Sequence, residues 1–438
     1  MTAVSDSYPR QKKWFSSLAE QWNKWFSDVP MMAWLIGGLF SAILEHFIGN
    51  PFAQLIGMPK APVLFGFLIA LKTPILIPPA ILYNIVIYAI PVLAVARALG
   101  NLSNRVAQWM MDKSIVFSTI VHIILLYLTL QVWADLSDYR VLVLKLTLIA
   151  IMVTLSLNVV NGYMGEFSCS HPGFMALGAY AASVLSIILF VNNDLFGSLH
   201  LPAFLAPFVF PFILILSGLI SAVGALLVAV PSFRTRGDYL AIISLAFTFI
   251  IKSLFENLEV FGGPRGLSGQ PDLSTLPVVF IWAMICIWMI NNYVTSTFGK
   301  TMNAVRDGEM AADAMTINTR RTKMVTFLFA AFWAGVAGGL LAHVLRYVNP
   351  SSFGIQKLAE VLAMVYFGGL NSVVGSIVGA VGMNMLSEAL RPLEIYKWII
   401  IPIMIILIMI YRPTGLIAFR DFDIKKLIRP KQKKGPEA

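Results

Sequence analysis

Charged residues are scarce in this 438-residue chain. Asp, Glu, Lys and Arg make up 12% of it, whereas hydrophobic residues make up 58%, and the mean hydropathy is +0.79. A soluble domain has about a quarter of its residues charged, so this composition excludes an ordinary soluble protein. Several apolar runs are also long enough to cross the hydrocarbon core of a bilayer, and the sequence therefore predicts a polytopic membrane protein.

Motifs for catalysis and for metal binding are missing as well. The chain has no Walker A sequence, no HExxH pair and no Ser/His/Asp or Cys/His set, and its histidines are scattered. The Gly-rich segment 256–269 does not fit a phosphate-binding loop. It is predicted to be an external loop that closes a mouth or meets an external partner, with a plain connector as the alternative. Cys169 and Cys286 lack metal or redox spacing and are predicted to be small buried residues. We therefore predict no catalytic residue, no cofactor and no metal site.

Basic residues outnumber acidic ones, and the formal net charge is +10. They lie at the chain ends and between apolar runs, where the positive-inside rule accounts for them without a nucleic-acid partner. By this rule both the N-terminus and the C-terminus, with the basic tail 412–438, are expected in the cytoplasm. Residues 1–30 repeat aromatic side chains at spacings typical of an amphipathic helix that lies on membrane lipid, although a partner-binding helix shows the same pattern.

Residues 31–113 form an N-terminal membrane appendage in this interpretation. The runs 31–48 and 74–96 are expected to span the membrane, whereas 63–71 is too short and is either re-entrant or interfacial. Glu45 lies near the end of the first run and is expected at the water interface, where a charge costs little.

Residues 114–411 hold the remaining spans. Counting them with the appendage, the fold class is an all-α polytopic membrane protein with about ten transmembrane helices, some of them re-entrant or broken. Parity between the cytoplasmic segments requires residues 360–390 to form a helix pair or a re-entrant hairpin.

Two polar, glycine-containing breaks interrupt these spans, one within 161–173 and the other at 368–372. Backbone groups freed inside a bilayer must be satisfied by protein or by water in a cavity, and such broken helices are typical of substrate pathways in transporters. The first break could also be a plain cytoplasmic loop. The candidate pathway residues are Asn158, Asn161, Ser168, Ser170 and Asn371.

The segment 297–323 is a polar, basic island between two long apolar runs. Short loops rich in Lys and Arg stay in the cytoplasm. Residues 302–315 contain good helix formers, and their alanines permit close approach to another surface. The segment therefore predicts a cytoplasmic helix that docks a soluble partner, with an ordinary solvated loop helix as the alternative.

Several motifs, in one order along the chain, resemble the LivM-type permease subunits of branched-chain amino-acid ABC importers. The resemblance covers about residues 140–415 of this sequence. Its motifs are LNVVNGYMG (157–165), GAY (178–180), RGDYLAI (236–242), FGGPRGL (261–267), GKTMNAVRDGEMAADAM (299–315) and VYFGGLNSVVG (365–375).

The resemblance implies an ABC permease fold over 114–411, in the cytoplasmic (inner) membrane, and a coupling helix within 297–323 that sits in a groove of a cytoplasmic ATPase. It also implies a second homologous permease, ATPase subunits that hydrolyse the ATP, and an extracytoplasmic substrate-binding protein. It places Glu309, Ala311 and Ala312 in that helix, where charged groups could fix the orientation of the partner. The predicted ATPase-coupling residues are Arg306, Asp307, Glu309, Ala311, Ala312 and Asp313.

Three positions depart from the family pattern. Thr316 stands where a glycine usually follows the coupling helix, Ser170 where a glycine is often found, and Phe249 where an acidic residue is common. The first departure bears on how the coupling helix ends, and the last bears on the polarity of the pathway.

The resemblance implies that the chain is not itself an enzyme and that it translocates branched-chain, aliphatic amino acids. Related permeases carry urea, which is the alternative substrate. An ion-coupled secondary transporter would need charges in mid-span. This alternative is disfavoured because the main interior charges, Lys145 and Lys252, could reach the interface from span ends.

Overall fold

The computed structural model describes residues 26, 29–62, 74–191, 201–233, 239–391, 394–411, 415–418 and 422–429. Almost all of the amphipathic segment predicted over 1–30, the segment 63–71 and most of the tail 412–438 lie outside the described residues, so what was predicted for them stays a prediction.

Most of the described residues are helical. In chain order the helices are α1 (Met31–Leu55), α2 (Ile77–Ala98), α3 (Gly100–Lys113), α4 (Ile115–Ala134), α5 (Asp138–Met164), α6 (His171–Phe190), α7 (Ala206–Ser232), α8 (Tyr239–Asn257), α9 (Leu276–Thr295), α10 (Thr297–Asp307), α11 (Glu309–Ala314), α12 (Thr319–Leu345), α13 (Ile355–Gly368), α14 (Val373–Ala389), α15 (Glu394–Tyr411) and α16 (Ile424–Ile428). Turns of π-helix occur within α2 (Asn84–Ala89) and at the end of α5 (Val159–Met164).

Short 3-10 turns and one pair of strands complete the described secondary structure. The turns are Pro74–Leu76, Ala203–Leu205, Glu259–Phe261, Gly263–Arg265 and Pro350–Phe353. Strand β1 (Leu267–Ser268) pairs antiparallel with β2 (Tyr347–Val348). Gly266 precedes β1 at a φ of 79°, and a Cβ there would lie 2.2 Å from the Val348 carbonyl oxygen, so this approach requires glycine.

Nine helices in the described ranges are long and apolar enough to cross a membrane: α1, α2, α4 to α9, and α12. Shorter apolar helices follow at Val373–Ala389 and Ile399–Tyr411. This confirms the predicted all-α, polytopic fold with about ten spans.

The chain divides into two compact units, residues 1–140 with 423–438, and residues 141–422. In the first unit α1 packs against α2, α3 and α4. The Thr129 hydroxyl donates to the Leu35 carbonyl oxygen at 3.3 Å, across the contact of α4 with α1. The sequence-based division assigned α4 to the region 114–411, whereas α4 packs here against α1, α3 and α16.

Glu45 has partners that the sequence did not indicate. Its side chain is buried in the protein, and both of its oxygens meet the Arg140 guanidinium, at 2.7 and 2.9 Å. Tyr83 donates to the same carboxylate at 3.2 Å, and Tyr88 donates to it as well. The Arg140 guanidinium at the start of α5 neutralises the charge, and the two tyrosines of α2 add hydrogen bonds to it. The expected position at the water interface stays a prediction.

In the second unit α6, α7 and α12 pack closely together. Gly178 of α6 faces Gly335 of α12 so tightly that a Cβ on Gly178 would lie 2.1 Å from the Gly335 carbonyl oxygen. One turn further along, Ala182 faces Gly339, and the register therefore runs parallel. The small residues of these two helices permit this backbone contact.

The segment 360–390 folds as the predicted helix pair. Helix α13 ends at Gly368, α14 begins at Val373, and the two helices pack against each other. Gly369 and Asn371 both adopt positive φ, 128° and 55°, in the turn between them. The glycine and asparagine in this break supply backbone conformations that other residues rarely adopt.

Candidate functional site

The first predicted break occurs where α5 ends. Its last turn is π-helical, and Gly165 then leaves the helix at a φ of 77°. An irregular stretch follows until α6 begins at His171, with Pro172 in its first turn, where the missing N–H of proline costs nothing.

Asn158 connects this break with the second one. Its side-chain nitrogen donates to the carbonyl oxygens of Gly369 at 3.3 Å and Ser372 at 3.1 Å, and to the Ser376 hydroxyl at 2.6 Å. Its side-chain oxygen accepts from the Asn371 backbone N–H at 3.2 Å. Asn158 is 1% exposed, so a single buried amide fastens the end of α5 to the turn between α13 and α14.

The other candidate pathway residues form a second hydrogen-bonded group. The Asn161 side-chain oxygen accepts from the Ser168 backbone N–H at 3.1 Å, and the hydroxyls of Ser168 and Ser170 lie 2.9 Å apart. The five predicted residues thus fall into two clusters, Asn158 with Asn371 and Asn161 with the two serines, and internal contacts occupy many of their polar groups. Whether they touch a substrate stays a prediction.

Cys169 lies between those serines and, like Cys286, is free and buried, as the sequence indicated. Its backbone N–H donates to the Ser244 hydroxyl at 2.9 Å, and its carbonyl oxygen accepts from Thr248 at 2.8 Å. Burial raises the pKa of the Cys169 thiol. This thiol is therefore a packed part of the break and a weak nucleophile.

The segment 297–323 contains two helices instead of the single helix expected over 302–315. Helix α10 is capped by the Ser296 hydroxyl, which accepts from the Gly299 N–H at 3.3 Å. Gly308 then takes an extended conformation, with φ −178° and ψ 95°, and α11 begins after it. Glycine in a helix interior is destabilising, and this is the position where the helix breaks.

The structure divides the predicted coupling residues between two faces. Arg306 lies against the first break, where its guanidinium donates to the Gly162 carbonyl oxygen at 3.4 Å; Ala312 is buried. Asp307, Ala311 and Asp313 are exposed. Glu309 is also exposed, yet its carboxylate reaches back to the start of α12.

Lys323 donates a hydrogen bond to that carboxylate. This lysine was not singled out from the sequence. Its ammonium group lies 2.8 Å from Glu309 and 2.5 Å from Glu166, which belongs to the first break. One buried lysine thereby ties α11 to the end of α5. The sequence shows these charges but gives no sign of their pairing, because Glu166 lies in another part of the chain.

Two methionines of this segment were also missed. Met310 is 82% exposed and Met315 is 75% exposed, which is unusual for large apolar side chains on a polar segment. Thr316 follows at a φ of 66°, the left-handed conformation that suits a glycine, and this agrees with its departure from the family pattern. The described end of α11 is Ala314.

Comparison with known proteins assigns the chain to a protein family. Residues 139–409, more than half of it, match the family model described as "Branched-chain amino acid transport system / permease component". The chain belongs to this family. It is therefore a permease subunit of an ABC importer and a multi-pass membrane protein.

Individual relatives agree with this family. The permease protein LivM of Salmonella typhimurium is 30% identical over 67% of this chain and 73% of its own length. LivM of Escherichia coli K12 is 30% identical over 64% of this chain and 70% of its own length. LivH of Salmonella typhimurium is 27% identical over 38% of this chain and 54% of its own length. No solved structure matches this permease at a significant level.

Proposed function

We propose that this permease translocates branched-chain, aliphatic amino acids across the cytoplasmic membrane, driven by a separate cytoplasmic ATPase. Its similarity to both LivM and LivH permeases supports pairing with a second, homologous permease. An extracytoplasmic binding protein would deliver the substrate. The observation that carries the ATPase-driven mechanism is the outward face of α11 together with its buried tie to the first break.

The outward face of α11 has the composition of a protein contact. Met310 and Met315 expose most of their surface, and the small Ala311 leaves the backbone between them accessible. Exposed methionines are frequent at adaptable protein-binding surfaces. Asp307 and Asp313 add acidic groups beside them, which favour one orientation of a basic partner. We assign this face to the ATPase.

Lys323 supplies the path by which such a contact reaches the membrane region. A displacement of α11 moves Glu309, and the shared lysine transmits the movement to Glu166. From there the π-helical end of α5 leads back to Asn158, which holds the turn between α13 and α14. Packed side chains and hydrogen bonds form a contiguous connection from the docking face to both broken helices.

The membrane orientation follows from the same assignment. If α10 and α11 face the cytoplasmic ATPase, α12 crosses outward, α13 returns to the break that Asn158 holds, and α14 and α15 form a second pair of crossings. Both chain termini then lie in the cytoplasm, in agreement with their basic residues.

Copurification tests the docking face. The tagged full-length chain is purified in mild detergent from its native membrane, and captured proteins are identified by mass spectrometry. We expect wild type to bring down a homologous permease and a protein with a Walker A motif. The double variant Met310→Glu, Ala311→Arg should lose the Walker A protein and keep the second permease, because only the exposed face of α11 is changed.

The matched control is Gln108→Arg, a change at an exposed position on α3. It should capture both partners as wild type does. Size-exclusion profiles of the detergent-solubilised variants verify that all of them fold. The assignment is wrong if wild type captures no Walker A protein, or if the double variant captures as much of it as the control.

A further inference from the structure

A cavity of about 80 Å³ lies within the second unit, between α5, α6, α12, α13 and α14. Eight of its eleven lining residues are Leu, Ile, Val, Ala or Met, and polar groups converge on it from α13 and α14. A single water requires about 10–15 Å³ of such space, so the cavity has room for several non-hydrogen atoms. The apolar lining includes Ile149, Ala150, Val153, Val361 and Met364, and the polar lining is Lys357, Glu360 and Asn384.

Two side chains that line this cavity carry opposite charges and lie close together. The Lys357 ammonium lies 3.0 Å from the Glu360 carboxylate, one turn apart on α13, and their side chains are 25% and 35% exposed. Charges on membrane helices are rare; they face the bundle interior or a water-filled cavity and often mark a substrate path. Asn384 is held in place by donating to the Thr147 hydroxyl at 2.6 Å.

A second cavity continues on the other side of Glu360. Its volume is about 300 Å³, and it is lined mainly by apolar residues of α13, α14 and α15, such as Met383, Ile401 and Ile405. Glu360 borders both spaces. Neither cavity is lined by any of the five pathway residues suggested by the sequence.

We propose that the cavity at Lys357 and Glu360 is a transit site for a zwitterionic amino acid with an aliphatic side chain. The substrate carboxylate would pair with Lys357 and its ammonium group with Glu360, each replacing one half of the existing ion pair. The side chain would lie against the wall formed by Ile149, Ala150 and Val153. Charge is conserved in this exchange, so neither Lys357 nor Glu360 is left without an opposite charge beside it.

This assignment rests on the proposed transport of amino acids, and it adds the residues that recognise them. Opposite charges side by side fit the two ends of an amino acid, whereas uncharged urea offers no match for either charge. The apolar wall next to the pair favours a side chain of branched hydrocarbon over a polar one.

Substrate uptake by the complete importer in proteoliposomes tests the site, with the binding protein saturating. We expect Lys357→Met and Glu360→Gln each to lower the rate of ATP-dependent leucine uptake by about tenfold or more, the change expected for loss of a hydrogen bond to a charged group. The double variant should be slower than either single variant, because both substrate contacts are then lost.

The matched control is the pair Lys252→Met, Glu256→Gln. In the wild type these side chains form a similar ion pair at 3.5 Å on α8, and they line neither cavity. The control should transport leucine as wild type does. If the pair at Lys357 served only folding, the double variant would recover uptake because no charge stays unpaired, and this result would overturn the proposal.

A second variant tests the apolar wall without changing charge. Ala150→Leu fills the cavity from a half-buried position and should lower uptake of leucine more than uptake of alanine. Equal effects on both substrates would contradict the site. Failure of wild type to take up leucine with ATP would remove the proposed function itself, whereas wild-type uptake with unaffected cavity variants would remove only this site.

Discussion

The charge of Glu45 in α1 is neutralised by a specific partner. The Glu45 carboxylate meets Arg140 with both oxygens and accepts hydrogen bonds from Tyr83 and Tyr88, and Arg140 also donates to the carbonyl oxygens of Pro62 and Trp133. Such a network makes a buried ion pair tolerable, because almost every group that has lost water has gained a protein partner.

Removing one member of this pair should be costly. We expect Glu45→Ala to lower the free energy of unfolding by about 3–5 kcal/mol, since Arg140 would be left buried without its counter-charge. The measurement is thermal or denaturant unfolding of the detergent-solubilised chain. Glu259→Ala, at an exposed position, is the control and should change little.

The double variant Glu45→Ala, Arg140→Met separates charge burial from a general packing effect. It should recover much of the lost stability, because no charge remains to be buried. Equal stability of Glu45→Ala and Glu259→Ala would contradict the described pairing.

Single residues were predicted from the sequence to the extent that their environment is local. The burial of the cysteines followed from the apolar segments around them. The partners of Glu45 were missed because they lie 38, 43 and 95 residues further along the chain. One sequence contains no signal for such pairings.

At the scale of elements, Lys323 ties α11 to the first break. We expect Lys323→Met to keep the ATPase bound, since the outward face of α11 is unchanged, and to lower transport several-fold, since Glu309 and Glu166 lose their common partner. The measurement compares ATPase copurification with ATP-dependent uptake for the same preparation.

Lys300→Met is the control for that substitution. Lys300 is an exposed lysine on α10, and its loss should leave both readouts as in wild type. If Lys323→Met transports as well as Lys300→Met, the connection through Lys323 has no part in coupling.

The existence of broken elements was predictable, whereas their connection was not. Glycine and polar residues within 161–173 and 368–372 marked both breaks, and the structure has them there. That Asn158 fastens one break to the other depends on packing across more than 200 residues of sequence, as the separation of 211 to Gly369 shows. The helix expected over 302–315 was split because Gly308 outweighed the good helix formers around it.

At the scale of the whole molecule, α13 connects the two parts of the proposed mechanism. Its C-terminal end forms the turn that Asn158 holds, and its first half contains Lys357 and Glu360. A movement that begins at α11 and passes through Lys323 and Asn158 therefore arrives at the helix that carries the proposed substrate contacts. Family motifs predicted the permease and its docking segment, but the cavity required the packing of five helices.

ATP-dependent uptake by the purified assembly tests the central claim most directly. Proteoliposomes contain this chain with its copurified partners. ATP is supplied on the side of α11, and labelled leucine is supplied on the opposite side. In parallel the chain alone is tested under an imposed proton or sodium gradient. We expect uptake that requires ATP and the partners, and none by the chain alone. Leucine uptake by the chain alone along an ion gradient, without ATP, would contradict the assignment as an ATPase-driven permease.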